Sequence, residues 1–339
     1  MSELLTELTD STRSVLDSLG PGTAEETIWT QVVDLGWLLA GVPESLDGLG
    51  LGPAAVCVIQ QELGRSLSAA RYPAATLVID ALVAAGESPL LERLPLLLTE
   101  ALATAPLVPP DIEISDDGRL SGTVRAVWSV DRASDILVWT NSDVLLVPTS
   151  AGALKARPTW DETRRLFDIT FTDVNIDSGW RLAQGAAAET LVCRIETLRD
   201  FLLAADAIGG ATAALESTVN YLTERKQFGR PLALFQALKH RCADLKAHIA
   251  AAEALFADTL NQAESGFGQP QAALLAREAK LLATAAYTEA AEEAVQLHGG
   301  IGMTAEHPCH LYLKRAQLNE HLGRRRVSDE LELATCQFS

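Results

Sequence analysis

ERKQFG at residues 224–229 and QLHGGIG at residues 296–302 bracket an almost unbroken helical pattern. That pattern predicts one antiparallel helical hairpin, with the charged turn and the glycine turn at its opposite ends. An arginine beside a Phe-Gly turn offers a forked donor set suited to a diphosphate, and glycines let a second backbone approach such a ligand closely. Together they point to a large anionic cofactor held between helices or subunits, with Arg225 as its cation.

On either side the texture changes. Residues 1–104 read as an all-helical layer, with helices over 25–39 (Thr23 as N-cap), 53–63 and 73–85. The prolines at 106, 109 and 110 end that pattern. Short β-rich runs follow at 112–114, 120–130, 135–140, 144–148 and 166–171, separated by polar and glycine turns, and predict a small antiparallel sheet domain over 105–183 that ends near Asp177. From 184 to 339 alanine is abundant, and helices over 191–224, 233–264, 269–297 and 307–321 predict a C-terminal four-helix bundle. The fold class is α+β, with helices at both ends enclosing a sheet domain.

Bulk properties exclude several functions. A chain of 339 residues supports two or three domains, and its 48% hydrophobic and 21% charged residues are ordinary for a soluble globular protein. The formal charge of −18 argues against binding to a nucleic-acid backbone, yet leaves room for a local basic pocket. Arg315, Arg324, Arg325 and Arg326 cluster near the C-terminus, and the run over 324–326 is expected to be a solvated face or terminal anchor rather than a phosphate site. The five cysteines lack metal-ligand spacing and disulfide density. The polar, acidic start does not read as a signal peptide, and apolar runs such as 94–98 are too short to span a bilayer, so a cytoplasmic location is expected. His298, His307 and His310 lack a cysteine or carboxylate at diagnostic spacing, and no metal is expected.

The two opening motifs, read at length as ERKQFGRPLALFQALKHRCADL (224–245) and AVQLHGGIGMTAEHP (294–308), resemble the acyl-CoA dehydrogenase family. So do LGWLLAGVPESLDGLGLG (35–52), QELGRSL (61–67), LLLTE (96–100), GRLSGTVRAVWSVDRASDILV (118–138) and LFDITFTDVNI (166–176), and the likeness covers nearly the whole chain. It implies an FAD enzyme that desaturates an acyl-CoA thioester across its α and β carbons: a carboxylate takes the α proton, flavin receives the β hydride, and electrons pass to an electron-transfer flavoprotein. By the family pattern, Arg225 contacts the FAD diphosphate across a subunit interface, Phe228 and Gln236 line the same cofactor, and Gln296, Leu297, His298, Gly299 and Gly300 meet its adenosine half. The plainer alternatives are a helix-terminal salt bridge for Arg225, core packing for Phe228 and an ordinary helix C-cap for the glycines.

The departures fall on the base and flavin-ring side. Along the family pattern the catalytic glutamate of most members falls on Gly323, and that of a second branch falls on Arg199. Glycine has no side chain and arginine stays protonated. Glu196, Asp200 and Glu320 lie within a helical turn of these positions, with Asp200 the nearest; they read as surface or helix-terminal carboxylates, because a misplacement of about 1 Å costs roughly 10²-fold. The family's Thr-Glu-Pro segment reads here as Thr99 and Glu100 followed by Ala-Leu-Ala, and its Trp-Ile-Thr stretch reads as Val127-Trp128-Ser129-Val130. The usual first long helix is expected to be truncated. This asymmetry resembles the short, base-lacking chain of bacterial α2β2 acyl-CoA dehydrogenases that act on steroid side chains, in which a homologous partner supplies the glutamate. Two other readings stand beside it: a self-sufficient homomeric enzyme with Asp200 as a relocated base, and a non-enzymatic acyl-CoA-binding or structural homologue.

Overall fold

The computed structural model describes residues 3–20, 23–86, 88–100, 103–324 and 326–337, so Arg325 of the C-terminal arginine run lies outside the described residues. The N-terminal layer consists of α1 (Glu3–Leu19), α2 (Glu25–Asp34), α3 (Gly52–Arg65), α4 (Tyr72–Ala85) and the short α5 (Leu94–Glu100). α1 has 17 residues and packs on α3. The helix predicted over 25–39 stops at Asp34, because Gly36 turns left-handed at φ 67° and a 3-10 turn follows over Trp37–Leu39. Thr23 does not cap α2; its hydroxyl donates back to the carbonyls of Leu19 and Gly20.

The middle region contains β1 (Ala103–Thr104), β2 (Asp111–Ile114), β3 (Arg119–Trp128), β4 (Asp135–Trp139), β5 (Asp143–Pro148), β6 (Ala153–Arg157), β7 (Leu166–Asn175) and β8 (Arg181–Gln184). They form two four-stranded sheets, ordered β1-β4-β5-β8 and β2-β3-β7-β6, rather than one small sheet. The expectation of purely antiparallel pairing fails at one edge, where β1 runs parallel to β4. Strand structure also continues past Asp177, because β8 pairs with β5 and leads the chain into the bundle. Between the sheets Leu120, Val124, Ile136, Val138, Leu145, Val147, Ile169 and Phe171 form a separate apolar core.

The C-terminal region is built from α6 (Ala186–Glu224), a two-strand hairpin of β9 (Lys226–Gln227) and β10 (Arg230–Pro231), α7 (Gln236–Ala263), α8 (Pro270–His298), α9 (Cys309–His321) and α10 (Arg326–Gln337). Alanine dominates the buried face of α8, from Ala272 to Ala294, and such small side chains allow the close approach of α6. α6, α7, α8 and α9 form the bundle, and α10 is an additional helix lying against α8.

A buried polar cluster joins the three regions. Asp206 of α6 accepts from Gln60 of α3 at 2.8 Å, from Arg164 of the segment before β7 at 3.0 Å and from Asn319 of α9 at 2.6 Å. Arg315 of α9 adds an ion pair to Asp161 at 2.6 Å and a hydrogen bond to the Ser68 carbonyl at 3.1 Å. Arg315 is therefore an internal cross-link rather than part of a basic surface patch. Asp161 shows the balance of forces: burial pushes its carboxyl pKa up, but Arg315 and Arg164 outweigh that and hold it below the usual range.

Candidate functional site

The two diagnostic turns lie at the same end of the bundle, not at opposite ends. α7 runs antiparallel to α6 and α8, so the start of α7 returns to the level where α6 and α8 finish. The stacking of Tyr221, in the last turn of α6, on His298, the last residue of α8, fixes this neighbourhood with ring centroids 4.5 Å apart.

At this end several side chains are exposed to solvent. Phe228 and Gly229 are the two central residues of the β9–β10 hairpin, with φ values of 53° and 76°. Two positive φ values suit a type I′ turn, but a bulky Phe in that conformation is strained by about 1–3 kcal/mol. The ring is not core packing, because it is 89% exposed and touches Phe235 edge-on at 6.0 Å. Arg230 stacks over Phe235 at 4.1 Å. Arg225, Gln236 and Gln296 are exposed and make no side-chain hydrogen bond or ion pair among the described residues. A salt bridge at the helix end therefore does not explain Arg225.

The glycine turn is divided in its roles. Gly299 (φ 65°), Gly300 and Gly229 have nothing within 4 Å of where a Cβ would stand, so their backbones are open to a ligand or another chain. Leu297 and His298, in contrast, turn their side chains inward. The His298 Nδ1 lies 2.6 Å from the Ala294 carbonyl, so it carries the proton and Nε2 is left buried without a partner. Burial lowers the pKa of this imidazole below the ordinary histidine value, and His307 adds to the effect while the Ala294 contact opposes it.

The position expected to hold the base is closed. Gly323 is buried at φ 75°, and its N–H donates to the Leu107 carbonyl at 2.6 Å. A Cβ there would fall 2.5 Å from Lys280 Nζ and 2.9 Å from Asp200 Oδ1. Lys280 in turn donates to the Arg324 carbonyl at 3.2 Å and pairs with Asp329 of α10 at 3.4 Å. Asp200 is fully buried, not a surface carboxylate as expected, and accepts from Arg199 Nε at 2.9 Å. Its burial pushes the pKa up, but Arg199 and Lys280 overcome this and keep the carboxyl below the usual range. Arg277 Nη1 and Arg324 Nη1 both bind Glu332, at 2.6 and 2.7 Å, and tie α10 over the cluster. Of the other nearby carboxylates, Glu196 contacts Arg199 at 3.5 Å, and Glu320 accepts from Thr288 at 3.1 Å.

The segments that the resemblance places beside the flavin ring are engaged within the chain. Arg164 lies over the Trp128 ring at 4.0 Å, and Ser129 donates to Glu25 of the N-terminal layer at 2.9 Å. Thr99 and Glu100 end helix α5 rather than entering a strand, and Thr99 is exposed with its hydroxyl bonded to the Pro95 carbonyl at 3.0 Å. Leu107, after β1, lies beside Gly323 through the N–H it accepts from. Lys280, Leu107 and Asp329 are thus central residues that motif reading missed. The one local signal was a lysine standing in the alanine-rich stripe of α8.

The comparisons with known proteins agree with this architecture. The description "Acyl-CoA dehydrogenase, N-terminal domain" matches residues 17–94, and "Acyl-CoA dehydrogenase, C-terminal domain" matches residues 197–323. The chain is 36% identical over 298 residues to acyl-CoA dehydrogenase IpdE2 of Mycobacterium tuberculosis, an alignment covering 86% of this chain and 80% of that protein. The chain belongs to the acyl-CoA dehydrogenase family.

Among solved structures, this acyl-CoA dehydrogenase homologue overlays a chain of the Tcur3481-Tcur3483 steroid ACAD G363A variant with a TM-score of 0.86, at 26% identity and with 98% and 97% of the two chains covered. It also shares its fold with a chain of the ChsE4-ChsE5 complex from Mycobacterium tuberculosis, with a TM-score of 0.83 at 22% identity and 95% and 93% coverage.

Proposed function

We propose that this acyl-CoA dehydrogenase homologue works as one subunit of a heteromeric, FAD-dependent enzyme. It lends an FAD-clamping end to a site whose base belongs to a homologous partner. One observation carries the reading: within a single chain, the base position at Gly323 is sealed by Leu107, Lys280 and Asp200, while the Arg225 turn is open and unpaired. Asp200 and Glu224 are separated along α6 by about 36 Å at roughly 1.5 Å per residue. The clamp and this chain's own base position therefore do not serve the same reacting carbon, and the clamp serves a flavin seated mainly on another chain.

The residues fit that group. Arg225 supplies a forked cation for the diphosphate, Phe228 an apolar face, Gln236 and Gln296 side-chain amides, and Gly299 and Gly300 an uncovered backbone. Leu297 and His298 act from beneath, by holding the turn in place. FAD supplies the hydride acceptor when bound. Asp200 stays in its ion pairs and has no role as a relocated base.

The substrate class is an acyl-CoA thioester. A steroid side-chain ester is favoured by the likeness to a structure described as a steroid ACAD, and the two-component descriptions of that structure and of ChsE4-ChsE5 support pairing with an unlike homologous chain in an α2β2 assembly. An electron-transfer flavoprotein is the proposed acceptor and the cytoplasm the proposed location. No helix among the described residues is long and apolar enough to cross a membrane. We take the working regions as an N-terminal helical part (1–104), a middle β part (105–183) and a C-terminal bundle (184–339). The deciding experiment expresses this chain alone and with its nearest genomic homologue, then measures FAD content and native mass. About one FAD per unlike pair, with none on the isolated chain, supports the proposal. One FAD per chain in a turning-over homomer overturns it, and colourless protein in both preparations favours a non-enzymatic homologue.

A further inference from the structure

Beneath the glycine turn the fold gathers three side chains, of which the FAD reading uses only His298, and that only as a support of the turn. Ring nitrogens of His298 and His307 and the thiol of Cys309 lie within 4.8 Å of one another. They come from the end of α8, the following loop and the first residue of α9, so sequence spacing alone hid the cysteine partner that the two histidines lacked. His298 is 3% exposed and Cys309 is fully buried.

We infer that this cluster is a binding site for a single borderline-soft transition-metal ion of the zinc type. His298 is already set as a ligand: Nδ1–H is tied to the Ala294 carbonyl at 2.6 Å, and Nε2 presents a buried lone pair with no partner. A backbone carbonyl fixing the tautomer from behind is the usual support of a metal-bound imidazole. The His307 ring sits against it, with centroids 4.2 Å apart, and its Nδ1 is engaged only by the Cys309 N–H at 3.2 Å. The Cys309 thiol makes a long 3.4 Å contact with the Gly302 carbonyl. Two imidazoles and one thiolate form a donor set suited to zinc rather than to calcium or magnesium.

Bonds of about 2.0–2.3 Å place tetrahedral ligands about 3.5 Å apart, so binding draws the cluster in by about 1 Å, a movement that the half-buried His307 can make. Binding releases the thiol proton to solvent. A water completes the shell from the cavity of about 480 Å³ that His307 lines together with Tyr221 and Glu224. The ion links the end of α8 to the start of α9 and so braces the Gly299–Gly300 turn. The site stands on its own geometry, whatever the outcome for the heteromeric assignment.

The test uses the purified chain, alone and with its co-expressed partner, stripped with a chelator and titrated with zinc by calorimetry, then with Co2+ as a spectroscopic probe. The expected result is saturation near one ion per chain and a thiolate-to-cobalt charge-transfer band. Cys309→Ser should abolish the band, and His307→Ala, at a half-buried position where folding is retained, should weaken zinc binding by more than about 10-fold. If Cys309→Ser fails to fold, His307→Ala with an unchanged circular dichroism spectrum decides alone. No saturable binding, or binding untouched by the substitutions, overturns the site.

Discussion

Two regions of one helical bundle have been treated in opposite ways. Where α6 and α8 finish, charged and aromatic side chains are exposed, Arg225 has no ion pair among the described residues, and Phe228 is held in a strained backbone conformation. Around Gly323 and Asp200, charges are buried and paired, and an extra helix is tied over them through Glu332 and Asp329. Strain and unpaired groups persist where a partner or ligand repays them, whereas a buried ion is tolerated only when matched. On the proposed function, the contrast separates the half of the site that this chain offers from the half that is filled as structure.

The largest effect is expected on the closed side. Lys280→Met removes the cation set between Asp329, Asp200 and the Arg324 carbonyl, and breaking a buried ion pair typically costs about 3–5 kcal/mol. Chemical denaturation should show that loss, and an unchanged midpoint would mean that the cluster is not a structural lock. Gly323→Glu, which writes the family base back in, meets Lys280 and Asp200 at a left-handed position. It should destabilise by about 1–3 kcal/mol without adding turnover to the isolated chain. Appearance of flavin-dependent turnover in that variant would break the comparison.

Acid should also find the closed side first. Asp161 and Asp200 both have folded pKa values lowered below the usual carboxylate range. Their contribution is complete above the unfolded value of about 3.9 and is lost as pH falls through the folded values. Stability should therefore drop below about pH 4, with a shallower slope in Asp200→Asn, and parallel slopes in the two proteins would contradict the assignment. On the open side the effects on stability are smaller. Arg225→Ala should leave the fold within about 0.5 kcal/mol of the parent while FAD retention in the complex falls, and unchanged flavin stoichiometry would remove the clamp role. Phe228→Asn creates the favoured Asn-Gly pair of a type I′ turn, so it should stabilise the isolated chain by a few tenths of a kcal/mol yet weaken flavin retention.

The long helices were legible in sequence because alanine-rich, gap-free stretches admit little else, and the structure moves their ends by only a few residues. α10 was not, since Val327 and Leu331 are exposed and the helix is held by ion pairs to α8 that no periodicity reveals. β6 escaped for a related reason: all five of its residues are exposed on an edge, so no apolar alternation marks it. In the site, the outward turn was readable as a motif because its residues are close in sequence. The closed region depends on Lys280 meeting Asp329 and Gly323 meeting Leu107, pairings across long stretches of chain that only the fold makes.

Asp206 has a consequence for how the molecule comes together. A single carboxylate is shared by a side chain from the first helical layer, one from the middle region and one from the last helices. An assembly intermediate lacking any one of these regions leaves this carboxylate short of a hydrogen bond or ion pair that the complete fold supplies. Partly docked states are thereby depleted, and one side chain acts as a proofreading step that makes three regions mature as a single cooperative unit.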